Sequence, residues 1–171
     1  MSEPAGDADS GNAAVVRRFR APARINIIGE HTDYNDGFVL PMATALYTTV
    51  IATARPDRLV RATTDHLGHA GSFSLDDDAS PASGEWLDYV RGVAIELDAA
   101  GVTLGGADLV IESEIPIGAG LSSSAALELA VGNAFLGISR QSVEPDKLSI
   151  ICQSAEQRHV GVQCGIMDQF K

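Results

Sequence analysis

Apolar positions along this chain fall into short β-branched runs over the first half and into helical spacing over much of the second. The segments "VVRRFRA", "RINIIG", "ALYTTVIATA" and "RLVRATT" end at Pro, Gly or Asp, which is the chemistry of strands joined by turns. The first half is therefore predicted to be mostly sheet. The longest apolar stretch, "FVLPMATALYTTVIATA", is broken by Pro41 and several Thr, so it too reads as sheet and not as a membrane span. After the loop "DDDASPASGE", the segment "WLDYVRGVAIELDAAG" sets Trp86, Val90, Val93 and Leu97 at helical spacing, with Gly101 as the stop. A further strand, "ADLVIES", follows. Two helical segments come last, joined by "GISRQSVE": "SSSAALELAVGNAFL", with an apolar stripe of Leu127, Ala130, Val131, Ala134 and Phe135, and "PDKLSIICQSAEQRHV", with a face of Leu148, Ile151, Cys152 and Ala155.

Length and composition narrow the classes. At 171 residues the chain suits one domain with a real core, and no repeat interrupts it. Residues 1–14 are small, acidic and without bulky apolar groups, and are expected to form a disordered tail. A net charge of -11 repels phosphate backbones and anionic membranes, which argues against nucleic acid and membrane partners; an anionic ligand needs locally placed donors. Cys152 and Cys164 lack metal or redox spacing, and nothing near Met1 has the form of a leader, so a reduced, cytoplasmic setting is expected. The acidic run Asp76 to Asp78 reads as a solvated loop.

Candidate chemistry begins at "IPIGAGLSSSAALEL". This stretch follows a strand and opens a helix, so Ser122, Ser123 and Ser124 sit near a helix N-terminus. Free N–H groups and the positive dipole end converge there, and Gly118 and Gly120 allow a phosphate to approach the backbone. An ordinary Ser-capped helix after a Gly turn is the competing reading, weakened by the three consecutive Ser. A Walker loop is excluded, because Leu121 and Ser122 stand where it needs Lys and Ser or Thr. A dinucleotide fingerprint lacks its third Gly, since Ser123 occupies that place.

Three acidic segments add to this. Helical spacing carries Glu156 onto the buried face of the last helix, where a carboxylate needs a partner: a metal ion beside a phosphate loop, or a structural Arg such as Arg158. Asp168, in "GVQCGIMDQF", is flanked by apolar residues on a Gly-permitted turn, where burial and a nearby Arg would pull its charge state in opposite directions; a turn Asp bonding its own backbone is the alternative. In "RINIIGEHTDYNDGFVLP", Glu30, His31 and Asp33 lie just past a buried strand that starts at Arg24. Mixed donors and acceptors read the hydroxyls of a neutral sugar, whereas two carboxylates repel phosphate. An Asx-type turn with a satisfied His is the plain alternative, and one His with two carboxylates is a weak metal signal.

Together these segments resemble the GHMP kinases and, within them, the galactokinase family. "RINIIGEHTDYNDGFVLP" looks like the galactokinase signature, "IPIGAGLSSSAAL" like the ATP-binding motif of the superfamily, and "CGIMDQF" like the segment bearing the catalytic Asp. The resemblance runs from about Phe19 to Lys171, and the first motif sets galactokinases apart from mevalonate and homoserine kinases. It implies an α+β fold, a mixed sheet backed by helices, of the kind shared with ribosomal protein S5 domain 2. It also implies ATP-dependent phosphorylation of α-D-galactose at the C1 hydroxyl, the first committed step of galactose metabolism, by a protein that is monomeric when full length.

By matching position, the resemblance makes Asp168 the catalytic base and Arg24 its partner and transition-state stabiliser. Glu30, His31, Thr32, Asp33 and Gly165 would hold the sugar. Gly118, Ala119, Gly120, Leu121, Ser122, Ser123 and Ser124 would cradle ATP, Ser124 and Glu156 would take Mg²⁺, and Trp86 and Tyr89 would meet the adenine, although Trp86 also fits core packing. Two departures stand out. Ala23 occupies a place where the family commonly has Gly, and family members continue beyond the position of Lys171 into a second domain. Residues 15–171 are therefore expected to be the N-terminal domain without its C-terminal partner, with little activity by themselves. A galactose- and ATP-sensing protein without catalysis and an N-acetylgalactosamine kinase are the alternatives on the same scaffold.

Overall fold

The computed structural model describes residues 15–29, 32–35, 37–65, 68–77 and 82–170. The acidic tail expected over residues 1–14 lies outside them, as do Glu30, His31 and Asp78.

Five strands form one sheet in the order β1-β2-β5-β3-β4. β1 (Val16–Asn26) joins two segments that read as separate strands in the sequence. Its register against β2 (Pro41–Ala54) slips between Pro22 and Arg24, because Pro lacks the N–H the ladder requires and an edge strand tolerates the resulting bulge. β2 also pairs antiparallel with β5 (Ala107–Ser113), and β5 runs parallel to β3 (Leu59–Thr64). That parallel pair requires a crossover, and α1 (Leu87–Ala99) supplies it. β4 (Ala70–Ser74), absent from the sequence reading, is short and carries only Phe73 as a large apolar residue; it exists through pairing with β3, where Val60 faces Phe73.

One face of the sheet is apolar with period two, through Val50 and Ala52, Val60 and Ala62, and Ala107, Leu109 and Ile111, all buried. α2 (Ser123–Ile138) lies on β1 and β2 and against α1, and α3 (Pro145–Ala155) packs on both helices. α2 is buried on nearly every side, because Ala125, Ala126, Ala130 and Ala134 permit close approach. Leu127, expected in its apolar stripe, packs against the core while half-buried and also lines a cavity. α1 stops where expected, with Gly101 at φ +86° donating its N–H to Asp98 O at 2.8 Å. α3 does not continue as an α-helix to Val160: Glu156–Val160 form a wider π-turn, closed by Gly161 at φ +85°. Asp76, read as merely solvated, accepts a bond from Arg58 Nε at 2.5 Å.

Candidate active site

The bulge in β1 sets the site. Ala23 is buried against Ile115 and Ala126, a small cluster below the Gly-rich loop, so the Cβ that replaces the family's Gly has a packing role. The next residue, Arg24, donates its backbone N–H to Leu121 O at 3.2 Å and Nη1 to Gly120 O at 2.9 Å. Its Nε reaches Asp168 Oδ1 at 2.7 Å, and Nη2 bonds the same oxygen. The two side chains are 12% and 22% exposed, so this ion pair is far better shielded than a surface pair. Asp168 is therefore not a turn Asp bonding its own backbone. Both contacts fall on Oδ1, and Oδ2 is the oxygen Arg24 leaves unengaged.

The loop after β1 brings Asp33 to the same place. Asp33–Asn35 form a single helical turn, and both carboxylate oxygens accept the N–H of Met167, at 3.1 and 3.2 Å. A Cβ on Gly165 would stand 1.9 Å from Asp33 Oδ2, so only glycine lets the two segments close. Thr32, expected to hold sugar, donates its hydroxyl within the loop, to Gly29 O at 2.7 Å and Phe38 O at 3.0 Å. Its geometry supports the loop's shape. Asp33 and Gly165 line an open cavity of about 630 Å³ together with Gln153, Gln157, Gln163 and Cys164. Gln157 and Gln153, missed in the sequence reading, both donate Nε2 to Cys164 O, at 2.7 and 3.3 Å, and hold the segment in front of Gly165. Their signal was the i, i+4 spacing of two amides on one helical face.

On the other side of Arg24, Gly118, Gly120 and Ser122 have φ of +74°, +70° and +55°, while Ala119 and Leu121 between them do not have positive φ. Such alternation turns successive N–H groups toward one concavity, an anion-binding nest. Ser122 in a left-handed conformation makes no side-chain cap bond, so the ordinary Ser-capped helix is not what forms here. Ser123 and Ser124 line a neighbouring cavity of about 590 Å³ whose walls include Trp86, Tyr89, Ile115 and Leu127. Trp86 packs on the core and also lines this cavity.

Glu156 is 4% exposed and accepts Gln169 Nε2 at 3.0 Å. The same amide donates to Glu128 at 3.3 Å, a carboxylate the sequence reading missed, fully buried in α2. Arg158 is not the partner of Glu156; it donates to Glu96 at 3.2 Å. Two buried carboxylates around one amide leave a concentration of negative charge. Burial first, then Glu156, pushes the Cys164 thiol up to about 12, and burial with Glu156 and Glu128 raises the Tyr89 hydroxyl. Among the described residues no group of three His, Cys, Asp or Glu forms a metal cage. Hard oxygen donors few in number suit Mg²⁺, which takes one or two carboxylates and completes its shell with phosphates and water.

Residues 10–54 match the galactokinase galactose-binding signature, and residues 88–171 match the GHMP kinase N-terminal domain. The chain belongs to the galactokinase family of GHMP kinases. It is 51% identical over 151 residues to the galactokinase of Roseiflexus sp. (strain RS-1), covering 88% of this chain and 38% of that protein. To the galactokinase of Chloroflexus aggregans (strain MD-66 / DSM 9485) it is 49% identical over 155 residues, covering 91% and 40%. The crystal structure of Lactococcus lactis galactokinase complexed with galactose superposes with a TM-score of 0.86 at 40% identity, over 91% of this chain and 41% of that one. The chain thus spans about two-fifths of the length of these galactokinase relatives. The galactokinase signature covers Arg24 and Asp33, while the GHMP domain covers the Gly-rich loop, Glu156 and Asp168. No helix among the described residues is long and apolar enough to cross a membrane.

Proposed function

We propose that the protein carrying this chain is a galactokinase, which transfers the γ-phosphoryl group of ATP to the C1 hydroxyl of α-D-galactose and releases α-D-galactose 1-phosphate and ADP. One observation carries this reading: Arg24 bonds Gly120 of the phosphate-type loop with one arm and Asp168 with the rest of its guanidinium, so it stands between loop and carboxylate. The galactose complex of the Lactococcus lactis galactokinase supports the choice of sugar. The sugar lies in the cavity of Asp33 and Gly165, with Glu30 and His31 as further ligands. The adenine occupies the apolar cavity of Trp86 and Tyr89, where an aromatic wall favours stacking. The phosphates lie across residues 118–124.

Asp168 accepts the proton of the C1 hydroxyl as it attacks in line, and Arg24 offsets the charge on the transferring group. Ser124 and Glu156 are the residues offered to Mg²⁺, which when bound supplies compensation of the phosphate charge. The long apolar strip of Ile27, Ile28, Leu40 and Phe38, the last 99% exposed, supports the view that the remainder of the longer protein packs here and closes the site. Cys152 and Cys164 are not joined in a disulfide, which together with use of ATP supports a cytoplasmic location.

The test is production of galactose 1-phosphate by the full-length protein, followed by ³¹P NMR, for the wild type and for Asp168→Asn. The variant is expected to lose at least about 10²-fold in turnover, with galactose binding by calorimetry largely kept. Substantial turnover by the variant would remove Asp168 from its role. Faster reaction with N-acetylgalactosamine would change the substrate.

A further inference from the structure

The face of α1 roughly opposite Tyr89 borders a second kind of cavity. Asp88, Arg91, Gly92 and Ile95 of α1, with Arg158 and His159 of the π-turn, enclose about 80 Å³. Arg91 is only 9% exposed, and its Nη2 is sealed from solvent without a hydrogen-bond partner. No ion pair among the described residues involves it. Burial of a guanidinium without an ion pair is costly, and an anion within hydrogen-bond reach offsets that cost.

Two of the neighbouring carboxylates are engaged elsewhere. Asp88 Oδ2 accepts Ser83 N and Gly84 N at 2.7 Å, Ser83 Oγ at 3.1 Å and Glu85 N at 3.3 Å, which fixes it to the start of α1. Glu96 receives Arg158 at 3.2 Å and His159 Nε2 at 2.9 Å. Arg91 also borders a cavity of about 190 Å³ on its other side, but there it meets Asp77 and Asp98, and Arg58 is already held by Asp76 and by Leu104 O at 2.8 Å. On the side of Arg158 and His159 the one lining carboxylate is Asp88, whose Oδ2 is already taken by Ser83, Gly84 and Glu85, so this side is the more open to an anion. Gly92 keeps it so: a Cβ there would stand 2.9 Å from His159 Cβ, and only glycine lets the π-turn lie this close to α1.

We propose that this cavity binds a small tetrahedral oxyanion, the phosphate group, with Arg91 as its principal donor and Arg158 and His159 beside it. The planar guanidinium presents paired N–H donors that match phosphate oxygens. On the same measure of volume one water needs about 10–15 Å³, so the cavity of about 80 Å³ holds the five heavy atoms of a phosphate group and excludes a sugar ring or base. If the phosphate belongs to a larger molecule, the rest of that molecule lies outside.

Calorimetric titration of the full-length protein with inorganic phosphate and with methyl phosphate tests this, at constant ionic strength and with galactose and a non-hydrolysable ATP analogue saturating the other site. One phosphate per chain is expected, and Arg91→Met should weaken it by about 10- to 100-fold, the range set by one or two charge-assisted hydrogen bonds. Tighter binding of inorganic phosphate than of methyl phosphate identifies the free anion as the ligand, and equal binding identifies a phosphate monoester. In phosphate-free buffer Arg91→Met should melt at a higher temperature than the wild type, because an unpaired buried charge has gone. Arg91→Lys, which keeps the charge without the paired donors, should fall between. Equal phosphate binding by wild type and Arg91→Met, no binding by the wild type at millimolar phosphate, or a lower melting temperature for Arg91→Met without phosphate would each overturn the proposal.

Discussion

Gly165→Ala is the smallest change that separates sugar binding from the rest of the site. Gly165 does not have a left-handed backbone, so alanine introduces no strain of its own and the whole effect is steric. Its Cβ would lie 1.9 Å from Asp33 Oδ2 and 2.1 Å from Cγ, whereas ordinary contact begins at 3.4 Å. The carboxylate must retreat by about 1.5 Å, which takes both oxygens beyond reach of the Met167 N–H they now share at 3.1 and 3.2 Å. A hydrogen bond to a charged group contributes about 1.5–3 kcal/mol, or roughly 10- to 100-fold in a binding constant. Displacement of a positioning group by about 1 Å has a similar effect on rate. We expect galactose affinity, measured by calorimetry on the full-length protein, to fall within that range, while affinity for an ATP analogue changes less than about twofold because the nest at 118–122 does not touch Gly165. Unchanged galactose affinity would refute the placement of the sugar beside Asp33, and equal loss of nucleotide affinity would show that the variant disturbs the fold.

Glu156→Gln should fold normally, since Gln169 Nε2 can still donate to the new carbonyl, but should raise the Mg²⁺ concentration for half-maximal turnover by about tenfold or more; an unchanged Mg²⁺ dependence would exclude Glu156 from the ion. Because burial, and after it Glu156, pushes the Cys164 thiol up to about 12, it stays neutral well above the pH at which a free thiol ionises. Its alkylation by iodoacetamide at pH 9, followed by mass spectrometry, should therefore run about 500-fold slower than that of a free cysteine, from the thiolate fractions alone, and Glu156→Gln should speed it. Alkylation at the free-cysteine rate would contradict the buried charge around Glu156. Gly137→Ala would set a Cβ 2.3 Å from the Phe19 ring between α2 and β1, and thermal denaturation should show a loss of about 1–3 kcal/mol, with galactose binding retained; an unchanged melting temperature would mean that this contact yields freely.

The sequence was most legible where a local pattern carries the information. The three helices and four of the strands follow from periodicity and from Pro, Gly and Asp at their ends, and the phosphate-type loop follows from glycines beside three Ser. β4 was hidden because its stability lies in its partner: "AGSFS" has no alternation, and only the pairing of Phe73 with Val60 makes it a strand. Pro22 read as a strand end, yet β1 passes through it by a bulge, which no local rule separates from a turn. The π-turn after Ala155 was invisible for a similar reason, since its residues fit α-helical spacing until Gly161 ends them. Arg24, Asp33, Asp168 and Glu156 were found from motif and periodicity, and the structure brings the first three together through Gly120, Gly165 and Met167. Glu128, Gln153 and Gln157 escaped because a polar residue in a helix usually faces water, and only packing reveals which ones face inward.

The bond between Arg24 and Asp168 spans 144 residues, from the first strand to the last described turn. Closing so long a loop costs conformational entropy that later contacts must offset, so this bond belongs among the last to form as the chain folds. During synthesis the arginine emerges 144 residues before its carboxylate. Chemistry at this centre is therefore a reporter of chain integrity: a nick in any intervening loop that lets the two ends drift by an ångström silences the reaction while most of the sheet still stands.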